Sequence, residues 1–147
     1  MQASKGITRQ FLRLFAPSVP DVLFCALLLT FCAGRSGFEA LLVDGDTGWH
    51  IRTGQFVLHN GAAPSVDLFS FSRTGKPWFA WEWLADAIFA GVFAWRGMGG
   101  VAAFTAAVLC GAAVLLFAWL LRRECGLWVA AGATLATVSA SSVHYLA

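Results

Sequence analysis

Charged residues are scarce in this chain. Only 12% of its 147 residues are Asp, Glu, Lys or Arg, and 59% are hydrophobic, whereas a soluble domain usually carries about 25% charged residues. Residues 101–121 contain no charge at all, so a helix formed by them has no polar face to meet water. These two shortages argue against an ordinary soluble domain and predict an integral membrane protein.

Two further patterns are missing, and each excludes a class of site. The net charge is +2 and no run of basic residues is present, which argues against a nucleic-acid partner. The four cysteines form no CxxC pair, and three of them lie inside apolar segments. Cysteines in such settings are usually small buried hydrophobic residues, so the sequence predicts no cysteine metal site.

The apolar residues fall into four segments. A basic amphipathic lead-in over residues 1–18 precedes the first segment, residues 19–43, and Ser18 or Asp21 is positioned to cap its helix. A secretory signal peptide is the alternative for this segment. Region 82–147 holds three more apolar segments, at residues 82–95, 101–121 and 127–147, with a glycine-rich turn at 96–100. The predicted fold class is an all-α membrane protein with about four transmembrane helices.

The polar residues concentrate between the first two apolar segments, in residues 44–81. This stretch begins with Asp44-Gly45-Asp46, in which the glycine lets both carboxylates point at one small volume. Two carboxylates so placed suit a hard divalent cation such as Mg²⁺ or Mn²⁺, or a base that takes a proton from a hydroxyl. A simple turn that caps the next helix explains the same triplet without chemistry.

The rest of this stretch predicts three short elements. Residues 47–60 have the pattern of an amphipathic helix, which Asn60-Gly61 ends. The helix is too short and too polar to span, so we expect it in the membrane interface, with His50, Arg52 and His59 toward water or substrate. Residues 69–72 alternate like a short strand, and residues 74–77 form a turn.

Three more polar residues are candidates for a site. Arg73 and Lys76 suit a phosphate group, and near a membrane they also suit lipid headgroups. Glu82 lies between two tryptophans at the start of the second apolar segment, where tryptophans favour the interface. A carboxylate at a helix N-terminus also interacts favourably with the helix dipole, so Glu82 has a purely structural explanation as well.

The order of these motifs resembles the GT-C superfamily of polytopic membrane glycosyltransferases. The resemblance is to mannosyltransferases that use dolichyl-phosphate-mannose and to bacterial transferases of aminoarabinose and galacturonic acid. It covers residues 44–84 and the flanking helices. The motifs are Asp-x-Asp, Thr-x-Trp-His-Ile, Thr-Gly-Gln, Asn-Gly, Asp-x-Phe-Ser, Gly-x-Pro-Trp and Glu-Trp-Leu.

The resemblance implies transfer of a sugar from a polyprenyl-phosphate carrier to an acceptor on the outer face of the bacterial plasma membrane. It implies that Asp46, and as second choice Asp44, is the catalytic base or a ligand of a divalent cation. The substrate-binding residues would be His50, Arg52, Arg73, Lys76 and Glu82. The chain departs from the family where Asp46 is followed by threonine, since the family often has Asp-Glu followed by a tyrosine.

Topology and length complete these expectations. The basic lead-in predicts a cytoplasmic N-terminus with residues 44–81 outside, although Arg122 and Arg123 then lie on the outer side, against the positive-inside rule, unless residues 82–95 do not fully cross. Transferases of this family have long membrane domains, so we expect the N-terminal part of a longer chain. Its partners would be the remaining transmembrane helices, membrane lipids and the lipid-linked sugar donor.

The alternative is a non-catalytic membrane protein, either an assembly subunit or a transporter subunit. Acidic residues inside membrane helices favour transport, because intramembrane charges usually mark an ion or proton path. Only Asp86 and Glu39 approach that position in this sequence, so transport is the weaker form of this alternative.

Overall fold

A computed structural model describes residues 18–33, 41–42 and 45–141. These residues form four helices, which are α1 (Val19–Ala33), α2 (Asp46–Asn60), α3 (Trp83–Arg122) and α4 (Leu127–Ser141). Within the described ranges, the only extended pairing is an isolated antiparallel bridge between Val66 and Pro77. The all-α prediction is therefore confirmed.

The start of α1 confirms the predicted cap. The backbone N–H and the hydroxyl of Ser18 both donate to the carboxylate of Asp21, at 2.8 and 2.6 Å. The N–H of Asp21 in turn donates to Ser18 Oγ at 3.4 Å. This reciprocal arrangement satisfies donors that the first turn of a helix leaves without partners, so both predicted residues contribute to the cap.

The predicted amphipathic helix is α2. It ends where expected, because Gly61 adopts a left-handed conformation with φ of 68° and its N–H donates to the carbonyl of Val57 at 2.8 Å. Glycine adopts this conformation without the steric cost that a Cβ would bring. The buried residues of α2 are Ile51, Thr53, Gly54 and Val57.

The long helix α3 turns back on itself at Gly97. The rings of Phe89 and Phe104 lie 6.1 Å apart, although a straight helix would separate these residues by about 22 Å. Gly97 has non-helical angles, φ of 63° and ψ of −160°. The turn predicted for residues 96–100 is therefore confirmed in position, and it divides α3 into a first arm (residues 83–96) and a second arm (residues 98–122).

Among the described helices, α3 alone is long and apolar enough to cross a membrane. Its second arm is about 37 Å long at 1.5 Å per residue, and a bilayer's hydrocarbon core is about 30 Å thick. Helices α1 and α4 have 15 residues each, which gives about 22 Å. The predicted number of about four transmembrane helices stays a prediction.

The apolar core lies where α1, the second arm of α3 and α4 meet. Its buried centre is formed by Leu27, Cys110 and Ala113. The residues packed against this centre are Leu23, Phe24, Leu28, Phe31 and Val138. Small residues at a helix interface let backbones approach closely, as is usual between membrane helices.

The segment between α2 and α3 folds back as a compact loop. The Val66 and Pro77 bridge is supported by the N–H of Asp67, which donates to the carbonyl of Lys76 at 2.9 Å. The strand predicted for residues 69–72 is wrong. The carboxylate of Asp67 accepts the N–H groups of Phe69 and Ser70 at 3.0 and 2.9 Å, and this local bonding turns the chain instead of extending it.

Candidate functional site

Helix α2 crosses the first arm of α3 at Gly54. A Cβ atom at position 54 would overlap the backbone carbonyl of Asp86 and would lie 2.8 Å from the Cβ of Ala90. Asp86 and Ala90 are both only 1% exposed. Because Gly54 has no side chain, the two backbones come into contact, and this contact sets the distance between the helices.

His50 lies one helical turn before Gly54 and faces Asp86. Its Nδ1 atom is 2.7 Å from Oδ1 of Asp86, a residue 36 positions away in the chain. The side chain of Asp86 is 2% exposed and that of His50 is 27% exposed. A buried carboxylate is costly without a hydrogen-bond donor, and His50 supplies that donor.

The protonation state of Asp86 determines the tautomer of His50 in this contact. An ionised Asp86 only accepts hydrogen bonds, so a neutral imidazole paired with it carries its proton on Nδ1 and leaves Nε2 as an acceptor. A histidine held in this way by a carboxylate is the usual arrangement of a general base with an orienting acid. The pair is therefore chemically able to take a proton from a hydroxyl that reaches Nε2.

Aromatic rings pack beside the pair and connect it to the loop. The ring of Trp49 has its centroid 5.6 Å from that of His50, 5.0 Å from that of Trp78 and 6.1 Å from that of Phe69. Trp49 and Trp78 are half-buried. These contacts hold the loop against the first part of α2. The imidazole of His50 therefore lies between the buried carboxylate of Asp86 and the indole of Trp49.

Asp46, the first choice for the catalytic carboxylate, is the first residue of α2 and is exposed. It lies four residues before His50, and residues four apart share one face of a helix. Asp44, the second choice, lies outside the described residues. The structure therefore puts Asp46 and His50 on one face, whereas the expected pairing of two carboxylates stays a prediction.

The other four predicted substrate-binding positions, besides His50, are exposed: Arg52, Arg73, Lys76 and Glu82. The guanidinium of Arg52 donates to Gln55 Oε1 at 2.9 Å, and Arg73 acts electrostatically on Asp67. The backbone carbonyl of Glu82 accepts the N–H of Asp86 at 3.0 Å, as the first bond of α3. Over residues 45–141, no hydrogen bond or ion pair joins the side chains of these four to His50.

The expectation that His50 faces water or substrate stays a prediction, since its side chain is 27% exposed. What the sequence did not predict is that its Nδ1 faces the first arm of α3, where Asp86 is buried. Asp86 itself was considered only as an acid near a membrane segment. A general signal in the sequence points to Asp86. An acid in an apolar helix requires a polar partner, and few histidines or cations near the helix contact at Gly54 could be that partner.

No group of three or more His, Cys, Asp or Glu side chains able to hold a metal lies within the described ranges. Mg²⁺ and related hard cations prefer about six oxygen ligands. Asp44 lies outside those ranges, so the divalent-cation site assigned to Asp44 and Asp46 stays a prediction.

No protein-family model, curated protein or solved structure matches this chain. The resemblance to GT-C glycosyltransferases therefore depends on the motifs in residues 44–84 alone.

Proposed function

We propose that this chain is the N-terminal part of an integral membrane glycosyltransferase. The enzyme moves a sugar from a polyprenyl-phosphate carrier to a hydroxyl acceptor on the outer face of the membrane. The observation that carries this proposal is the hydrogen bond between His50 and the buried Asp86. It lies in the region whose motifs resemble the GT-C superfamily, and it supplies the base that such a transfer needs.

In the proposed reaction His50 takes the proton. The acceptor oxygen forms a bond to the anomeric carbon while the bond from that carbon to the carrier phosphate breaks. The hydroxyl proton moves to Nε2 of His50, and the polyprenyl phosphate leaves as an anion. Asp86 stabilises the imidazolium that results and keeps the ring oriented, since it stays hydrogen-bonded to Nδ1 throughout.

Asp46 has a separate role in this proposal. The sugar develops positive charge at its ring oxygen and anomeric carbon as the phosphate leaves, and a nearby carboxylate stabilises that charge. Asp46 is exposed and shares a helix face with His50. Arg52, Arg73, Lys76 and Glu82 stay candidates for substrate binding, but no step is assigned to them because no contact connects them to His50.

The surface of α3 supports the membrane part of the proposal. Large apolar side chains on its second arm are exposed, with Val108 at 53%, Leu115 at 71% and Trp119 at 52%. A surface of this kind is stable when lipid or protein covers it. We therefore propose that the second arm spans the bilayer and that residues 44–81 lie on the outer side.

The experiment measures transfer of labelled sugar from polyprenyl-phosphate donors by membranes of cells that express the gene. The wild-type protein and each variant are compared at equal expression levels. His50→Gln removes the base, so we expect transfer to fall by about 10²- to 10⁴-fold. Asp86→Asn and Asp46→Asn should each lower transfer as well. His59→Gln is the matched control, because His59 is an exposed histidine on the same helix and should leave transfer unchanged.

Two results would contradict the proposal. Transfer by His50→Gln at the wild-type rate would remove the pair from the chemistry and leave it as a contact between α2 and α3. Absence of transfer with every donor tested, from folded and inserted protein, would favour the alternative of a non-catalytic assembly or transporter subunit.

A further inference from the structure

The loop between α2 and α3 exposes large apolar side chains. Phe71 is 103% exposed and Trp81 is 83% exposed. Leu68, Phe69 and Phe79 are each at least 40% exposed, and the rings of Phe79 and Trp81 lie 5.3 Å apart in an edge-to-face contact. Five such residues within fourteen positions are unusual for a surface that meets only water, and they indicate an interaction site.

Two cations lie among these side chains. Arg73 and Lys76 are exposed and belong to the turn that follows Phe71. Two acidic residues flank this segment: Asp67 accepts hydrogen bonds from the backbone of Phe69 and from both the backbone and hydroxyl of Ser70, and Glu82 is exposed beside Trp81. Between them, residues 68–81 carry exposed aromatic rings and two cations and no acid, a combination typical of segments that lie in anionic lipid headgroups.

The loop directly precedes α3 in the chain. Trp81 is two residues before the start of α3, the helix with the length and composition to cross a membrane. Trp83 and Leu84, at the start of that helix, are also exposed, at 42% and 59%. One end of the loop therefore joins the first arm of α3, which turns back at Gly97 before the second arm.

We propose that residues 68–81 dock into the headgroup layer of the anionic bilayer that α3 crosses. The rings of Phe71, Phe79 and Trp81 lie below the level of the phosphates, while Arg73 and Lys76 bind the phosphates themselves. This inference rests on the membrane part of the proposed function and is independent of sugar transfer. It names the bilayer as the occupant because the two cations complement anionic lipid phosphates and the exposed aromatic rings suit the headgroup layer.

Docking has a consequence for the candidate site. The ring of Trp78 belongs to the docked loop and contacts Trp49, which is the neighbour of His50 in α2. A loop held in the headgroup layer therefore holds the first part of α2 at the membrane surface as well. Nε2 of His50 would then lie at the depth where a lipid-linked phosphate is presented.

The test uses single labels on the full chain. Cys25, Cys32, Cys110 and Cys125 are replaced, and one cysteine carrying an environment-sensitive fluorophore is introduced at Phe71. The protein is reconstituted in vesicles of phosphatidylcholine and phosphatidylglycerol, and quenching by lipid-borne nitroxide is compared with quenching by aqueous iodide. We expect the label at 71 to be quenched by the lipid nitroxide and to be several-fold less sensitive to iodide than a label at an aqueous position.

Two labelled controls separate the possible outcomes. Leu115→Cys reports on the second arm of α3, which is expected in lipid, and Ala62→Cys reports on an exposed position at the base of the loop. Lipid quenching at 115 without lipid quenching at 71 would overturn docking and leave membrane insertion intact. Absence of lipid quenching at both positions would overturn docking and the membrane part of the proposed function together.

A charge variant tests the role assigned to the two cations. Arg73→Gln combined with Lys76→Gln should lower lipid quenching at 71 in the anionic vesicles and have little effect in pure phosphatidylcholine. Arg123→Gln, which removes an exposed cation at the far end of α3, serves as the control and should leave lipid quenching at 71 unchanged. Equal quenching in the double variant and the parent would overturn phosphate binding by Arg73 and Lys76. Protection of the label at 71 from both quenchers would indicate a protein partner and would overturn docking to lipid.

Discussion

The backbone carbonyl of Asp86 in α3 occupies the space that a side chain at position 54 of α2 would fill. His50 lies four residues before Gly54 and therefore on the same face of α2. The approach of the helices at Gly54 is thus what allows Nδ1 of His50 to reach Oδ1 of Asp86 at 2.7 Å. The absence of a side chain at Gly54 therefore makes the hydrogen bond to the buried carboxylate of Asp86 possible.

Gly54→Ala should weaken the fold and the pair together. The added Cβ overlaps the carbonyl of Asp86, so the helices must separate, and overpacking of this kind costs about 1–3 kcal/mol of unfolding free energy. Thermal unfolding of the purified chain in detergent measures the loss. Gly48→Ala is the control, because no atom lies within 4 Å of the new Cβ there and alanine favours a helix over glycine. Equal midpoints for the two variants would contradict the close contact at Gly54.

Thr53→Val should stabilise the fold. Thr53 is 0% exposed, and its hydroxyl has no hydrogen-bond partner among the residues described. Valine has nearly the same shape and removes the buried hydroxyl, whose desolvation costs about 1–3 kcal/mol when it is unpaired. The change in midpoint of thermal or denaturant unfolding measures this gain.

Thr137→Val is the matched control for that experiment. The hydroxyl of Thr137 is exposed and donates to the carbonyl of Ala133 at 2.9 Å, so its loss should bring no comparable gain. A lower midpoint for Thr53→Val than for the parent would mean that the hydroxyl of Thr53 is needed.

Gly97→Ala should destabilise the turn in α3. Gly97 has φ of 63° and ψ of −160°, a region that is essentially restricted to glycine, and other residues pay about 1–3 kcal/mol to occupy it. Spin labels at Ile88 and Val108, which are exposed on the two arms, report whether the arms separate. We expect a lower unfolding midpoint together with a longer or broader label distance.

Gly99→Ala tests whether this effect comes from backbone conformation. Position 99 has no atom within 4 Å of a new Cβ, as is also true of position 97, but its backbone φ is not positive. The Gly99 variant should therefore keep the parent's midpoint and label distance. If both variants lost stability equally, the positive φ of Gly97 would not be the cause.

The loop should lose stability in acid through Asp67. The hydroxyl of Ser70, the N–H groups of Ser70 and Phe69 and the charge of Arg73 hold the pKa of Asp67 below its ordinary value of 3.8. A lowered pKa in the folded state means that the ionised carboxylate stabilises the loop fully when the pH is above the pKa of Asp67 in the unfolded chain. This stabilisation is lost as the pH falls below 3.8 and through the lowered folded value.

Ser70→Ala should raise the pKa of Asp67 toward 3.8, because it removes the largest of these stabilising interactions. Titration of the side-chain carboxyl carbon by NMR, assigned with Asp67→Asn, measures the change. Ser72→Ala is the control, because Ser72 is an exposed serine of the same turn that has no part in lowering the pKa of Asp67. A Ser70→Ala titration identical to that of the parent would contradict the assigned cause.

Local features explain which elements were predictable. The cap of α1 by Ser18 and Asp21, the end of α2 at Gly61 and the turn of α3 at Gly97 each depend on residues within a few positions of one another. The prediction of a strand at residues 69–72 was wrong because a local interaction opposed it. Alternation suggested an extended segment, but the carboxylate of Asp67 bonds to the backbone just ahead of it and turns the chain.

The sequence by itself therefore determined the helical class, the start of α1, the end of α2 and the apolar character of α3, because composition, caps and glycine conformations act over short distances. The tertiary structure alone decided the partner of His50. Asp86 lies 36 residues away, and nothing in the spacing of either residue specifies that they meet. They meet because Gly54 lets two helix backbones touch, and a buried carboxylate then requires the donor that this contact brings within reach.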